Sequence, residues 1–221
     1  DKKDPNVARQ DPHDWLTAMT RATRAALRAA KKTAGFAPEA IAGIGVDTTA
    51  STPMPVDAQG RALSANKRFR GNINALAWLW KDHTSFAEAG EITEAARKQH
   101  PEYLAKCGGT YSSEWFWAKA LHCLRVAPAV IEAAATWVEQ SDWIPAQLCG
   151  NTDPSTWKRN VCAAGHKGLY NEAWTWPEAA FLASLDPRLG DLRRRGHFNT
   201  TFTADQKFGD LSAEWAKTLG L

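Results

Sequence analysis

Apolar residues recur at helical spacing over most of this chain. The first such segment begins at Asp11-Pro12, because aspartate caps a helix and proline suits its first position, and its apolar positions continue to Ala30. Further helices are predicted at residues 84–99, from Ser112 onward, and at residues 128–137, 141–150, 177–185 and 212–219. The pattern is therefore that of a helix-rich protein.

Strand-like runs are fewer, and they surround a short polar segment. Residues 41–47 carry Ile41, Ile44 and Val46 and stop at a carboxylate, residues 53–57 form a second short run, and residues 157–164 a third. Ligands of open α/β sheets sit where strands end, and the small residues 48–52 leave the backbone accessible there. The sequence predicts an α/β or α+β unit with a ligand site after Asp47.

Composition narrows the function classes. The chain has 221 residues, 44% of them hydrophobic, and a net charge of +3, so it can bury one sizeable core and lacks the dense basic surface of a nucleic-acid binder. The stripe of Arg21, Arg24 and Arg28 is best interpreted as a solvated helix face. No apolar run reaches the roughly 18–20 residues of a membrane span, and the first residues do not resemble a signal peptide. The cytoplasm is the expected compartment.

Two residue types add detail. The four cysteines form no C-x-x-C pair and are expected to be reduced thiols. His122 and Cys123 are adjacent on a predicted helix and point to different faces, so a metal site is not expected. The eleven tryptophans should mostly lie in the core, although some are suited to stacking on a sugar.

Three groups carry candidate chemistry, and each also has a structural explanation. Residues 80–83, Trp-Lys-Asp-His, combine an aromatic face with polar groups, as a polyhydroxylated ligand requires, although composition alone favours a structural role. Glu139 and Asp142 could act as acid and base, but a helix start at Ser141 and Asp142 is favoured. Lys167 lies among small residues, where its ammonium is equally suited to solvent or to a hydroxyl or phosphate.

Taken together, these segments resemble the FGGY carbohydrate kinase family. The matching blocks occur in the family's order at residues 43–57, 79–84, 108–119, 137–145 and 162–167. The blocks at 79–84 and 108–119 point to the members that phosphorylate L-ribulose. The resemblance spans residues from about 10 to 221.

The resemblance implies an actin-like, ribonuclease-H-like ATPase fold, with residues 1–221 as a helix-rich, partial N-terminal sugar-binding domain. It implies transfer of the γ-phosphoryl group of Mg-ATP to L-ribulose, with ATP bound mainly by a following domain. The sugar contacts carried over are Ala50, Trp80 and Lys167. Weaker candidates are their neighbours Lys81, Asp82 and Glu139.

Two family segments have no counterpart in this chain. One is a first strand and turn near the nucleotide phosphates, and the other carries a catalytic aspartate expected beyond Leu221. The sequence therefore predicts no catalytic residue here and no activity for the chain alone. It also predicts an unpaired sheet edge that would allow a homodimer.

Three alternatives remain open. The first is another FGGY kinase that acts on a different pentulose or on a pentitol. The second is a non-catalytic sugar-binding module, and the third, disfavoured by the net charge of +3, is a nucleic-acid binder.

Overall fold

A computed structural model of the chain describes residues 4–198 and 201–221. Its helices are α1 (Pro12–Ala30), α2 (Phe86–Gln99), α3 (Phe116–Val126), α4 (Pro128–Ala133), α5 (Gln140–Leu148), α6 (Val161–Gly168), α7 (Ala179–Leu185), α8 (Pro187–Arg195) and α9 (Ala213–Leu219). Its strands are β1 (Arg9–Gln10), β2 (Pro53–Val56), β3 (Ala77–Trp78), β4 (Thr136–Glu139), β5 (Arg159–Asn160) and β6 (Thr201–Phe202). None of the described helices is long and apolar enough to cross a membrane.

The described strands pair two by two. β1 runs antiparallel to β3, β2 antiparallel to β4, and β5 parallel to β6. In the β2–β4 pair, Pro53 lies opposite Glu139 and Val56 opposite Thr136. This register places the segment that precedes β2 beside the end of β4, which positions the candidate site.

Several helix predictions are confirmed, because the local capping chemistry forms. The Asp11 side chain accepts a hydrogen bond from the backbone N–H of His13, with Pro12 at the first position of α1. Ser212 caps α9 by accepting from the N–H of Trp215 at 3.2 Å. The helix predicted at residues 84–99 is α2, which begins two residues later at Phe86.

The strand predicted at residues 41–47 is wrong. The segment has no regular secondary structure and pairs with no strand among the described residues. Ile41 and Ile44 are 39% and 45% exposed, and only Val46 of the three apolar positions that suggested a buried strand packs, partly buried, against the smaller core cluster of the described residues. A strand is stable only where neighbours satisfy its backbone and cover its side chains.

Two other boundaries differ from the prediction. The helix that begins at Pro128 ends at Ala133, because the chain then pairs with β2 and places Trp137 in a strand; the N–H of Ala135 donates to the carbonyl of Val56 at 2.8 Å. The strand predicted at residues 157–164 is confined to β5, because the Asn160 side chain accepts from the N–H groups of Cys162 and Ala163 and starts α6.

The core consists of two clusters of buried apolar side chains. The larger lies among α2, α3, α4, α7 and α8, and the smaller joins α1, β2, β4, α5 and α9. The prediction that most tryptophans are core residues is confirmed by the buried indoles of Trp15, Trp78, Trp117, Trp137, Trp143, Trp157 and Trp176. Each removes on the order of 150–250 Å² from water, so an exposed tryptophan stands out.

Gly60 gives a test of this packing. Its φ is +68°, and an added Cβ would lie 2.4 Å from Cζ2 of Trp157. Gly60→Ala should therefore lower the free energy of unfolding by the cost of left-handed backbone, about 1–2 kcal/mol, plus an overpacking cost of about 1–3 kcal/mol. Urea unfolding of both proteins measures the loss.

Gly71→Ala is the matched control. Its φ is +79° and nothing lies within 4 Å of the added Cβ, so it should show the backbone cost alone. Equal losses at the two positions would contradict the packing of Trp157 against Gly60.

Candidate functional site

Residues 50–52 form the first part of the candidate site, directly before β2. Ser51 and Thr52 are buried, and Ala50 is half-buried. The Thr49 and Thr52 hydroxyl oxygens lie 2.8 Å apart, and the Thr49 hydroxyl also donates to Oε1 of Gln140 at 3.1 Å. Ala50 lines an open cavity of about 1050 Å³ that extends along residues 38–48 and 202–211.

Glu139 lies beneath this segment, at the end of β4. Its buried carboxylate accepts from the Ser51 hydroxyl and, at 2.7 Å, from the N–H of Thr52. Burial raises the pKa of Glu139 to about 7, the charge of Asp142 acts in the same direction, and the Ser51 hydrogen bond and the charge of Lys119 oppose the rise. The carboxylate thus fixes the backbone that carries Ala50.

Glu139 and Asp142 serve as a helix cap, as the sequence favoured. Asp142 accepts from the backbone N–H of Glu139 at 3.2 Å, and the two residues form a capping box at the start of α5. The capping residue is Glu139, so the predicted start at Ser141 is wrong by two positions. Asp142 is further held by Arg159, whose Nη1 lies 3.4 Å from Oδ2.

Lys119 is a buried charged residue of the candidate site that sequence reasoning missed. Its side chain extends from α3, is fully buried, and donates to the carbonyl oxygens of Ser51 and Leu79 at 2.9 and 2.8 Å. A third carbonyl, that of Trp78, lies 3.4 Å from Nζ. Burial lowers the pKa of Lys119 to about 7, against the effect of Glu139, which raises it. The available signal was its place at the end of the block at residues 108–119.

Trp80 and Lys81 follow directly on the carbonyls that Lys119 binds. Trp80 is 45% exposed and stacks on no other ring in the described part of the chain. Lys81 is exposed as well. An indole face open to solvent can cover the C–H face of a sugar, as tryptophan combines a large apolar surface with a polar N–H.

Asp82 is placed differently from Trp80. It is fully buried, ion-paired with Arg9, and accepts from the N–H of Ala8 at 2.7 Å and the hydroxyl of Thr84 at 2.6 Å. The Arg9 guanidinium also lies over the Trp78 ring, 3.2 Å from its centroid. These contacts connect the N-terminal segment to β3 and give the Asp82 carboxylate partners inside the protein. A sugar contact by Asp82 therefore stays a prediction.

Lys167 lies near the end of α6, which bends at Gly165, where ψ is −120°. The side chain is half-buried, and its ammonium has no hydrogen-bond or ion-pair partner among the residues the structure describes. A free ammonium provides three donors. It can therefore bind hydroxyl groups of a ligand.

Residues 111–115 contact both the Trp80 and the Lys167 segments. The Ser113 hydroxyl lies 3.1 Å from Nδ1 of His83. At the other end, the Tyr111 hydroxyl donates to the carbonyl oxygen of Lys167, and the Trp115 ring meets His166 edge to face at 5.1 Å between centroids. One loop therefore supports the two segments that carry the predicted indole and amine.

The structure thus brings some predicted residues together. Lys119 connects the segments of Ala50 and Trp80, and Glu139 holds the first of them. Trp80 and Lys167 do not line the large cavity beside Ala50, so a shared sugar pocket stays a prediction. Within residues 4–198 and 201–221, no group of three or more His, Cys, Asp or Glu side chains could hold a metal ion.

Comparison with known proteins agrees with this architecture. No protein-family model matches the chain. The chain is 45% identical over 215 residues to the ribulokinase of Vibrio parahaemolyticus and 34% identical over 218 residues to that of Shouchella clausii, covering 96% and 99% of this chain. The solved xylulose kinase from Rhodospirillum rubrum superposes with a TM-score of 0.66 at 23% identity, over 99% of this chain and 40% of that one.

These findings first define the structural class of the protein. The chain has the actin-like, ribonuclease-H-like fold of the sugar kinases, as predicted. The predicted resemblance to the FGGY carbohydrate kinases is confirmed, since the chain is similar to ribulokinases. It spans about 37% of the length of the curated relatives it matches.

The burial of Glu139 predicts a specific pH dependence. Its pKa in the folded chain, about 7, lies above the ordinary value of 4.5, so the folded state binds this proton more tightly. The stability it contributes is fully present below pH 4.5 and is lost as the pH rises through about 7. The free energy of unfolding of the wild type, minus that of Glu139→Gln, should therefore fall over this interval.

Urea unfolding at intervals from pH 4.5 to 7 measures this difference. The charge of Glu139 raises the pKa of Lys119, so in Glu139→Gln the folded chain releases the Lys119 proton at a lower pH. This stabilises the variant as the pH rises and adds to the expected fall of the difference. Gln147→Ala, a neutral change on the same helix, is the control and should give a constant difference. A constant or rising difference for Glu139→Gln would show that the carboxylate is not buried as described.

Proposed function

We propose that the protein containing this chain transfers the γ-phosphoryl group of ATP to the terminal hydroxyl of L-ribulose, a step of L-arabinose breakdown in the cytoplasm. The observation that carries the proposal is the 45% identity to a ribulokinase over 96% of this chain. The chain supplies the sugar-binding part in this proposal.

The chemistry of the groups without partners among the described residues suits an uncharged pentulose. Trp80 offers an open indole face, and Lys167 offers an ammonium without a partner among the described residues. A sugar needs both an apolar contact for its C–H face and donors for its hydroxyl oxygens. Ala50, with its methyl side chain, leaves room beside the backbone for the ligand.

ATP and its Mg²⁺ are assigned to parts of the protein outside this chain. The curated relatives are longer, since the chain spans about 37% of their length, and the described residues bring together no cluster of metal ligands. Phosphoryl transfer depends on placing the acceptor hydroxyl against metal-bound phosphates. In this proposal the present residues bind and orient the sugar.

Coupled assays of ADP release test the activity. The full-length protein should act on L-ribulose with a higher kcat/KM than on other pentuloses and pentitols, and the 221-residue chain alone should show no turnover. Preference for another sugar would replace the proposed substrate within the kinase class. Sugar binding by a full-length protein that never phosphorylates would favour a non-catalytic module.

Substitution of the two proposed contacts tests the site. Trp80→Ala and Lys167→Met should each raise the KM for L-ribulose roughly 10- to 100-fold, because a lost contact to a charged or well-packed group is worth about 1.5–3 kcal/mol. The KM for ATP should change little in both variants. Steady-state kinetics of the full-length protein give both constants.

Phe86→Ala and Lys106→Met are matched controls. Phe86 is 72% exposed, and Lys106 is an exposed lysine on another surface segment. Both should leave the KM for L-ribulose unchanged. An unchanged KM in Trp80→Ala and Lys167→Met would remove these residues from the proposed site.

A further inference from the structure

A buried ammonium occupies the centre of the candidate site. Lys119 is 0% exposed, and within the described part of the chain its Nζ donates to three main-chain carbonyls, those of Ser51, Leu79 and Trp78, at 2.9, 2.8 and 3.4 Å. An ammonium has three donors, so these three acceptors use its full capacity. Burial of a charge is costly unless it is paired and hydrogen-bonded, and a lysine used only to fill space could be replaced by an apolar side chain.

The position of the three acceptors is informative. Ser51 directly follows Ala50, and Leu79 directly precedes Trp80. The segments of these two proposed sugar contacts are distant in sequence, and a single atom of α3 is hydrogen-bonded to both. The Lys119 ammonium therefore connects the two backbones directly.

Glu139 also holds the first of these segments, with a charge opposite to that of Lys119. Its carboxylate accepts from the Ser51 hydroxyl and from the N–H of Thr52, whereas Lys119 donates to the Ser51 carbonyl. The segment after Ala50 is thus held by a cation at the Ser51 carbonyl and by an anion at the Ser51 hydroxyl and the Thr52 N–H. α3 and β4, which carry the two charges, both belong to the packed core.

We propose that Lys119 is a positioning residue for pentulose binding, which fixes the Trp80 segment relative to the Ala50 segment without touching the sugar. This inference rests on the proposed function, since it concerns the same site. Misplacing a binding group by about 1 Å can lower catalytic efficiency by as much as 10²-fold. Loss of the ammonium should therefore weaken sugar binding selectively.

The test is steady-state kinetics of the full-length protein with Lys119→Met, which keeps an unbranched side chain one atom shorter and removes its donors. The expected result is a rise of roughly 10-fold or more in the KM for L-ribulose, with the KM for ATP unchanged. A purely structural role gives a different result: part of the enzyme unfolds, so the apparent kcat falls while the KM for the sugar stays constant.

Leu121→Ala is the matched control for general destabilisation. Leu121 is fully buried on the same helix, and its truncation should cost about 2–5 kcal/mol without a change in the KM for L-ribulose. If Lys119→Met and Leu121→Ala both leave this KM at the wild-type value, the proposal is overturned.

A second variant covers the case in which Lys119→Met does not fold. The double variant Lys119→Met/Glu139→Gln removes both buried charges and should recover stability, and Glu139→Gln alone is its reference. The proposal predicts a higher KM for L-ribulose in the double variant than in Glu139→Gln, and equal values would contradict it. Absence of kinase activity in the wild type would instead refute the proposed function, which keeps the two failures distinguishable.

Discussion

The hydrogen bonds of the buried Lys119 ammonium are the interaction on which the candidate site depends. They connect α3 to the ends of two segments that are distant in sequence, and Glu139 fixes one of these segments through its side chain. Both charges are desolvated, which lowers the pKa of Lys119 and raises that of Glu139. Burying both charges costs free energy in the folded state. In exchange, the backbone at Ala50 and Trp80 is held in a defined geometry.

Around this pair, the structure separates supporting residues from exposed ones. Asp82 and Arg9 pair in the interior, and Asp142 and Arg159 secure the start of α5. Trp80 and the Lys167 ammonium, in contrast, have no partners among the described residues. The groups available for a ligand are thus supported by satisfied, buried polar contacts, and the loop at residues 111–115 contacts the segments of both Trp80 and Lys167.

Local chemistry explains what the sequence predicted well and what it did not. Asp11-Pro12 predicted the start of α1, and the same signal at Asp186-Pro187 starts α8, where it was overlooked. The strand prediction for residues 41–47 failed because strand formation depends on pairing partners, which a local sequence pattern does not show. Lys119 was missed for a similar reason. Its contacts are with the backbone carbonyls of Ser51 and Leu79, and every residue type has a backbone carbonyl, so the sequence does not show which ones a lysine will meet.

The most direct measurement of the central claim is a crystal structure of the full-length protein with L-ribulose bound. The account predicts the sugar against the Trp80 indole, with a hydroxyl in hydrogen-bond distance of the Lys167 ammonium and Ala50 beside it. The Lys119 ammonium should remain on the carbonyls of Ser51 and Leu79, away from the ligand. A sugar bound elsewhere, or Trp80 and Lys167 on separate surfaces, would contradict the account.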